Sequence, residues 1–175
     1  MDVFLEILKF TLPSLILFLV VFFFLRTWSR QEDKRRKHEF NLHLKDDILP
    51  VRLQAYERII LFLERIAPES ILLRLNRTGM SAKQLQSELL TTIRHEYEHN
   101  LSQQTYISSE AWQNVQMARN QIQKIINDSA AQLKEDASGA TLGKLILENI
   151  MELKTTPSQA AINYLKKEVQ ELFLN

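Results

Sequence analysis

The chain of 175 residues contains no cysteine. That removes disulfide frameworks, cysteine zinc sites and thiol nucleophiles together, and leaves only histidine and carboxylate side chains for metal chemistry. Turn formers are scarce as well, with three glycines and four prolines, about 4% of the chain against roughly 12% in ordinary proteins. A sandwich or barrel of many strands needs more turn chemistry than this. Neither sign of charge dominates, since 22 Lys and Arg face 21 Asp and Glu for a net charge of +1. What is present, 45% hydrophobic and 25% charged residues with helical spacing, predicts an all-α protein.

The charges are segregated. None falls between Phe10 and Leu25, and only Glu6 and Lys9 interrupt the 23 positions from Val3 to Leu25. At about 1.5 Å per residue this stretch spans roughly 34 Å, enough for a hydrocarbon core of ~30 Å. One N-terminal transmembrane helix is therefore expected, in contact with membrane lipid through residues 3–25, with Pro13 inside the span and Trp28 at the headgroups. The opening Met1-Asp2-Val3 lacks the basic start of a cleavable signal, and Phe22-Phe23-Phe24-Leu25-Arg26 lacks a small-residue cleavage site. Behind the run stand Arg26, Arg30, Lys34, Arg35, Arg36 and Lys37 against Glu32 and Asp33. The positive-inside rule then predicts a single-pass protein with its N-terminus outside and its C-terminal domain cytoplasmic. The cluster is read as setting topology rather than docking on lipid, because Glu32 and Asp33 dilute it. Beyond it, 15 basic residues face 17 acidic ones over residues 38–175, a balance that argues against nucleic acid as a partner.

The chain thus divides into an anchor over 1–28, a basic juxtamembrane stalk or linker over 29–48, and a cytoplasmic helical domain over 49–175. Leu49-Pro50 predicts a helix start, followed by a broad apolar face of Leu53, Tyr56, Ile59, Ile60, Phe62, Leu63 and Ile66. Pro68 ends that helix and opens a short one through Ile71, Leu72, Leu73 and Leu75, stopped near Thr78-Gly79. Ser81 and Gln84 form a capping box ahead of Leu85, Leu89, Leu90, Ile93 and Tyr97. Ser108-Ser109 begins a stripe of Trp112, Val115, Ile122, Ile125, Ile126, Ser129 and Leu133, in which Arg119 is the charged interruption. After Asp136-Ala137-Ser138-Gly139 a shorter helix carries Leu142, Leu145, Ile146, Ile150 and Leu153. Thr156-Pro157-Ser158-Gln159 caps a last helix with Ile162, Leu165, Val169, Leu172 and Phe173. The expectation is a bundle of five or six helices.

One motif has the form of a catalytic site. His95-Glu96-Tyr97-Glu98-His99 places two imidazoles one turn apart with a carboxylate beside them, the arrangement that binds zinc and activates its water, with Glu96 or Glu98 as base. Against that reading, no motif identifies a third ligand, Glu110 and Glu135 being only conceivable ones, and Ser102 and Thr105 stand where a metzincin needs Gly and His. On a helical wheel Leu85, Leu89, Ile93, Tyr97 and Leu101 centre on one face, and His95 and His99 point away from it. The expectation is no catalytic residue, no metal and no cofactor, with a zinc metalloenzyme on His95 and His99 as the alternative.

The same wheel sets Glu96, Asn100, Gln103 and Gln104 within or beside the apolar face. Buried amides and carboxylates need partners, so an interhelical polar network is expected, with Arg52, Arg58, Arg65 and Arg119 as its candidate cations.

Two stretches, Leu49-Pro50-Val51-Arg52-Leu53-Gln54-Ala55-Tyr56-Glu57-Arg58 and Glu96-Tyr97-Glu98-His99-Asn100-Leu101-Ser102-Gln103-Gln104 leading to Tyr106, carry a resemblance. With the apolar run ahead of them, the chain resembles an uncharacterised family of small single-pass membrane-anchored helical proteins from Bacteroidota. The resemblance implies an inner-membrane setting and no assigned activity. The expected function is accordingly that of a non-enzymatic interaction or scaffold protein, a subunit or adaptor of an inner-membrane complex. It would bind another protein or associate with itself, the narrow seam of the last helix either folding back onto the domain, which is the first expectation, or meeting the same seam of a second copy.

Overall fold

The computed structural model describes residues 15–18, 20–26 and 48–173, with side chains described as far as residue 171. Two compact units emerge, residues 1–49 and residues 50–175. In the first, the described residues 15–18 and 20–26 are helical, and their apolar side chains from Leu15 to Leu25 are all exposed. The predicted span over 3–25 falls partly outside the described residues, and among those described no helix is long and apolar enough to cross a membrane.

The second unit is all-helical; the described residues contain no strand. Helix α1 covers residues 48–66. Residues 48 and 49 are already helical ahead of Pro50, so the proline does not open this helix as the sequence predicts. The buried side chains of α1 are Ala55, Tyr56, Ile59, Phe62, Leu63 and Ile66, at the three- and four-residue spacing that aligns one face of a helix. Leu53, expected on that face, is 39% exposed.

Pro68 opens α2 (Pro68–Leu75), where its missing N–H costs nothing and its fixed φ suits the first helical position. Ile71 and Leu72 anchor this short helix to the core. The turn after it uses Gly79 at φ 83, a left-handed conformation that a side chain would strain. Helix α3 (Ala82–Asn100) starts on the capping box, the Ser81 hydroxyl accepting from the Gln84 N–H at 3.2 Å while the Ser81 N–H donates to the Gln84 side chain at 3.0 Å. Its last turn tightens into a 3-10 helix, Leu101–Thr105. Ser108 caps α4 (Ser109–Ala131), Ser138 caps α5 (Gly139–Met151), and the Thr156 hydroxyl accepts from Gln159 at the start of α6 (Pro157–Phe173). Among the described residues this unit holds six α-helices and the one 3-10 turn.

Helix α4 is the axis of the bundle and packs against α3, α5 and α6, while α2 bridges α3 and α5. One continuous apolar cluster draws on every helix, from Ala55 of α1 to Leu165 of α6. The starts of α3 and α5 are laced together, the Ala82 N–H donating to the Ala137 carbonyl at 2.9 Å and the Gly139 N–H to the Met80 carbonyl at 2.7 Å. That lacing sets the two serine caps side by side as an isolated antiparallel bridge.

Candidate functional site

The histidine motif lies on α3 with both imidazoles exposed. His95, Glu98 and His99 all face outward, and only Glu96 of the four turns partly inward. No group of three or more His, Cys, Asp or Glu that could hold a metal exists among the described residues, so neither Glu110, in the first turn of α4, nor Glu135, in the loop after it, joins the pair. The geometry offers two side chains one turn apart on exposed surface.

Glu96 has a different task. Its carboxylate accepts from Arg65 of α1 at 2.9 Å and lies 3.8 Å from Arg74 of α2, and Arg74 in turn donates to the Arg65 carbonyl at 2.8 Å. One carboxylate thus ties the C-terminal turns of α1 and α2 to α3. Of the four candidate cations, Arg65 is the one that reaches it, and Arg74 is a partner that sequence spacing gave no means of choosing. Arg52 instead donates to the Tyr106 carbonyl at 3.0 Å, which brings together the two stretches that carry the resemblance. Arg119 lies over the Tyr97 ring, 4.0 Å from its centroid. Tyr97 stacks on Trp112 at 5.5 Å and meets Phe62 at 6.1 Å, so the charged interruption of the α4 stripe is held against an aromatic face.

The expected network does not form as one unit. Buried Asn100 donates to the Glu96 carbonyl within its own helix at 2.8 Å, buried Gln103 donates to the Ser102 hydroxyl at 3.2 Å, and Gln104 is exposed. Leu101, expected on the apolar face, is exposed too. For Gln104 the reason is the switch to 3-10 winding after Asn100, which turns each residue through about 120° rather than 100° and takes it off the α-helical wheel, whereas Leu101 already lies about 80° from the centre of the apolar face at 100° per residue.

Two features escaped the sequence reading. The first is a polar pair between α1 and α6, a buried tyrosine on a half-buried carboxylate. The Tyr56 hydroxyl donates to Glu168 at 2.8 Å, and the other carboxylate oxygen of Glu168 is buried with no hydrogen-bond partner among the described residues. Burial, then the hydrogen bond and negative charge of Glu168, push the Tyr56 hydroxyl up to about 12, against smaller opposing effects of the Ser108 N–H and Arg52. Only a tyrosine at helical spacing marked this site in the sequence, and that reads equally as core.

The second is a groove between α2 and α5. Gly139 and Gly143 sit four residues apart on α5, and a Cβ on Gly143 would lie 3.2 Å from the Asn76 amide and 3.6 Å from Leu72. Their missing side chains let α5 approach the end of α2 closely. Beside this approach opens a cavity of about 660 Å³, lined by Glu69, Leu72, Leu73, Lys144, Leu147 and Met151 among others. Leu73 and Met151 are 87% and 83% exposed, an unusual position for large apolar side chains that flank one depression. The signal available was the glycine pair itself, two of only three glycines in the chain.

The cluster of basic residues after the apolar run cannot be placed in the same way. Arg26 is helical and exposed, while Arg30, Lys34, Arg35, Arg36 and Lys37 lie outside the described residues.

A capped bundle with an axial helix, a salt bridge tying three helices and a groove on its outer face defines an all-helical domain around one apolar core. The chain belongs to the Family of unknown function (DUF7935), whose model matches residues 2–172. Neither the curated proteins nor the solved structures hold a match to it.

Proposed function

We propose that this protein is a single-pass membrane-anchored interaction module, a subunit or adaptor of a bacterial inner-membrane complex, whose helical domain lies in the cytoplasm and works by contact rather than catalysis. The observation that carries the reading is the described part of residues 15–26, an apolar helix exposed all round up to Arg26. A helix that is apolar on every side requires a low-dielectric surrounding, and lipid supplies it. Orientation follows from six basic residues against two acidic ones between Arg26 and Lys37. The interaction role is supported by the apolar groove of the domain, with Leu73 and Met151 standing out from it.

The absence of cysteine makes a direct test clean. A single cysteine introduced at exposed Lys154, on the full chain expressed in a bacterial host, should react with a membrane-impermeant maleimide only after the inner membrane is opened, and the protein should resist extraction from membranes by alkaline carbonate. Labelling in intact spheroplasts would reverse the topology. Release by carbonate would remove the anchor. Purification in mild detergent should return the chain in a complex; a monodisperse single chain without stoichiometric partners would overturn the interaction role.

A further inference from the structure

The wall that α5 presents to the groove consists of Gly143, Lys144, Leu147, Glu148 and Met151. We propose that two copies of the chain pair through this face, α5 antiparallel to α5 about a two-fold axis that crosses the helix near Leu147; this deepens the interaction reading above and rests on it. In a two-fold interface the same patch serves both sides, so residues equidistant from the axis face one another. Two independent features of α5 give nearly the same axis. The oppositely charged Lys144 and Glu148 have their midpoint at Ile146. The protruding Met151 and the side-chain-free Gly143 have theirs at Leu147. The two positions differ by one residue, about 1.5 Å along the helix.

One axis therefore does two things at once. It sets Lys144 of each copy against Glu148 of the other, and it sends each exposed Met151 toward the depression beside Gly143 of the other copy. Within a single chain Lys144 and Glu148 lie 3.7 Å apart and both are largely exposed. The order Lys before Glu is the weaker one on an isolated helix, so the pair does little in cis. Leu73, on the facing wall, extends the apolar area that pairing would cover. An anionic lipid surface is a poorer occupant, because Glu69 and Glu148 line the groove against the single cation Lys144. A second copy brings every complement the face requires: protrusion, recess and both signs of charge. Anchoring in one membrane would also raise the effective concentration of copies, so a modest interface suffices.

The test uses the full chain in mild detergent, with protein mass read by light scattering across a concentration series. The expected mass is two chains. Met151→Asp should reduce it to one chain that stays folded by circular dichroism, since Met151 is exposed. In this cysteine-free sequence, Leu147→Cys near the axis should form a disulfide-linked dimer on mild oxidation, and Lys167→Cys on the exposed side of α6 should not. Differently tagged Lys144→Glu and Glu148→Lys chains, mixed, should give heterodimers well above the statistical half. A dimer that survives Met151→Asp, equal cross-linking from Lys167→Cys, or a statistical mixture would overturn the proposal. A monomer that instead co-purifies with a different protein would overturn self-pairing and leave the interaction role standing, whereas a monomer with no partner would overturn both.

Discussion

At the residue scale the informative groups are polar side chains drawn into apolar packing. Tyr56 is held neutral in the fold, its hydroxyl pushed from 10.0 up to about 12 by burial and by Glu168. A group whose folded pKa exceeds its unfolded value stabilises the fold fully below the unfolded pKa and loses that contribution as pH rises through the folded one. Stability from Tyr56 is therefore complete below pH 10 and lost between pH 10 and about 12. Urea unfolding at both ends of that window should show a steeper alkaline loss in the wild type than in Tyr56→Phe. Equal slopes would mean that the hydroxyl is not protected. At neutral pH the same substitution removes the donor to a half-buried carboxylate and should cost about 1 kcal/mol. Glu96→Ala should cost no more, about 1 kcal/mol or below, because its partners Arg65 and Arg74 are 49% and 39% exposed and water screens them. His95→Ala and His99→Ala should change neither the melting temperature nor the metal content after dialysis, since both imidazoles stand in solvent; an equivalent of metal that is lost on either substitution would restore the zinc reading.

At the element scale, helix starts were legible and helix faces less so. Ser81 and Thr156 cap α3 and α6 as the spacing predicts, because a cap is a contact between neighbours in sequence and needs no knowledge of the fold, while Ser108 and Ser138, read only as a restart and a break, cap α4 and α5 in the same way. The wheel failed at Gln104, where winding changes and a fixed angle per residue no longer holds, while Leu101 stands at the margin of the face even at a constant angle. It also missed the α5 glycines, whose meaning depends on what lies opposite. Those two glycines should respond differently to alanine. At Gly139 the new Cβ would meet the Met80 backbone carbonyl at 3.1 Å, the same oxygen that accepts the Gly139 N–H, so neither partner can yield easily. At Gly143 the nearest atom is the end of the exposed Asn76 side chain, which can swing away. Gly143→Ala should thus be near neutral or gain up to about 1 kcal/mol from helix propensity, while Gly139→Ala should lose about 1–3 kcal/mol to crowding. Denaturant midpoints of the two variants check the order, and a reversed order would mean that α5 can shift at its start.

At the scale of the whole molecule, the cross-helix partners were the least legible part, because they depend on which helix faces come together. Arg65 could be named as a candidate for Glu96 from its helix face, but the choice among Arg52, Arg58, Arg65 and Arg119 required the packing of α1 on α3. The last helix shows the same limit. Its seam of Ile162, Leu165 and Val169 suits either a second copy or the chain's own core, and spacing alone cannot separate the two. In the structure Ile162 and Leu165 are buried within the domain, and α6 lies along α4. The α1–α6 bond from Tyr56 to Glu168 fastens the same helix a turn further on. Leu165→Ala should therefore act on folding, lowering stability by about 2–5 kcal/mol and the melting temperature with it, while leaving the mass of the assembly unchanged. Met151→Asp should do the reverse, changing mass while the single chain keeps its fold. If Leu165→Ala were to dissociate the assembly and leave the fold intact, the seam of α6 would be the surface between copies and the face of α5 would not.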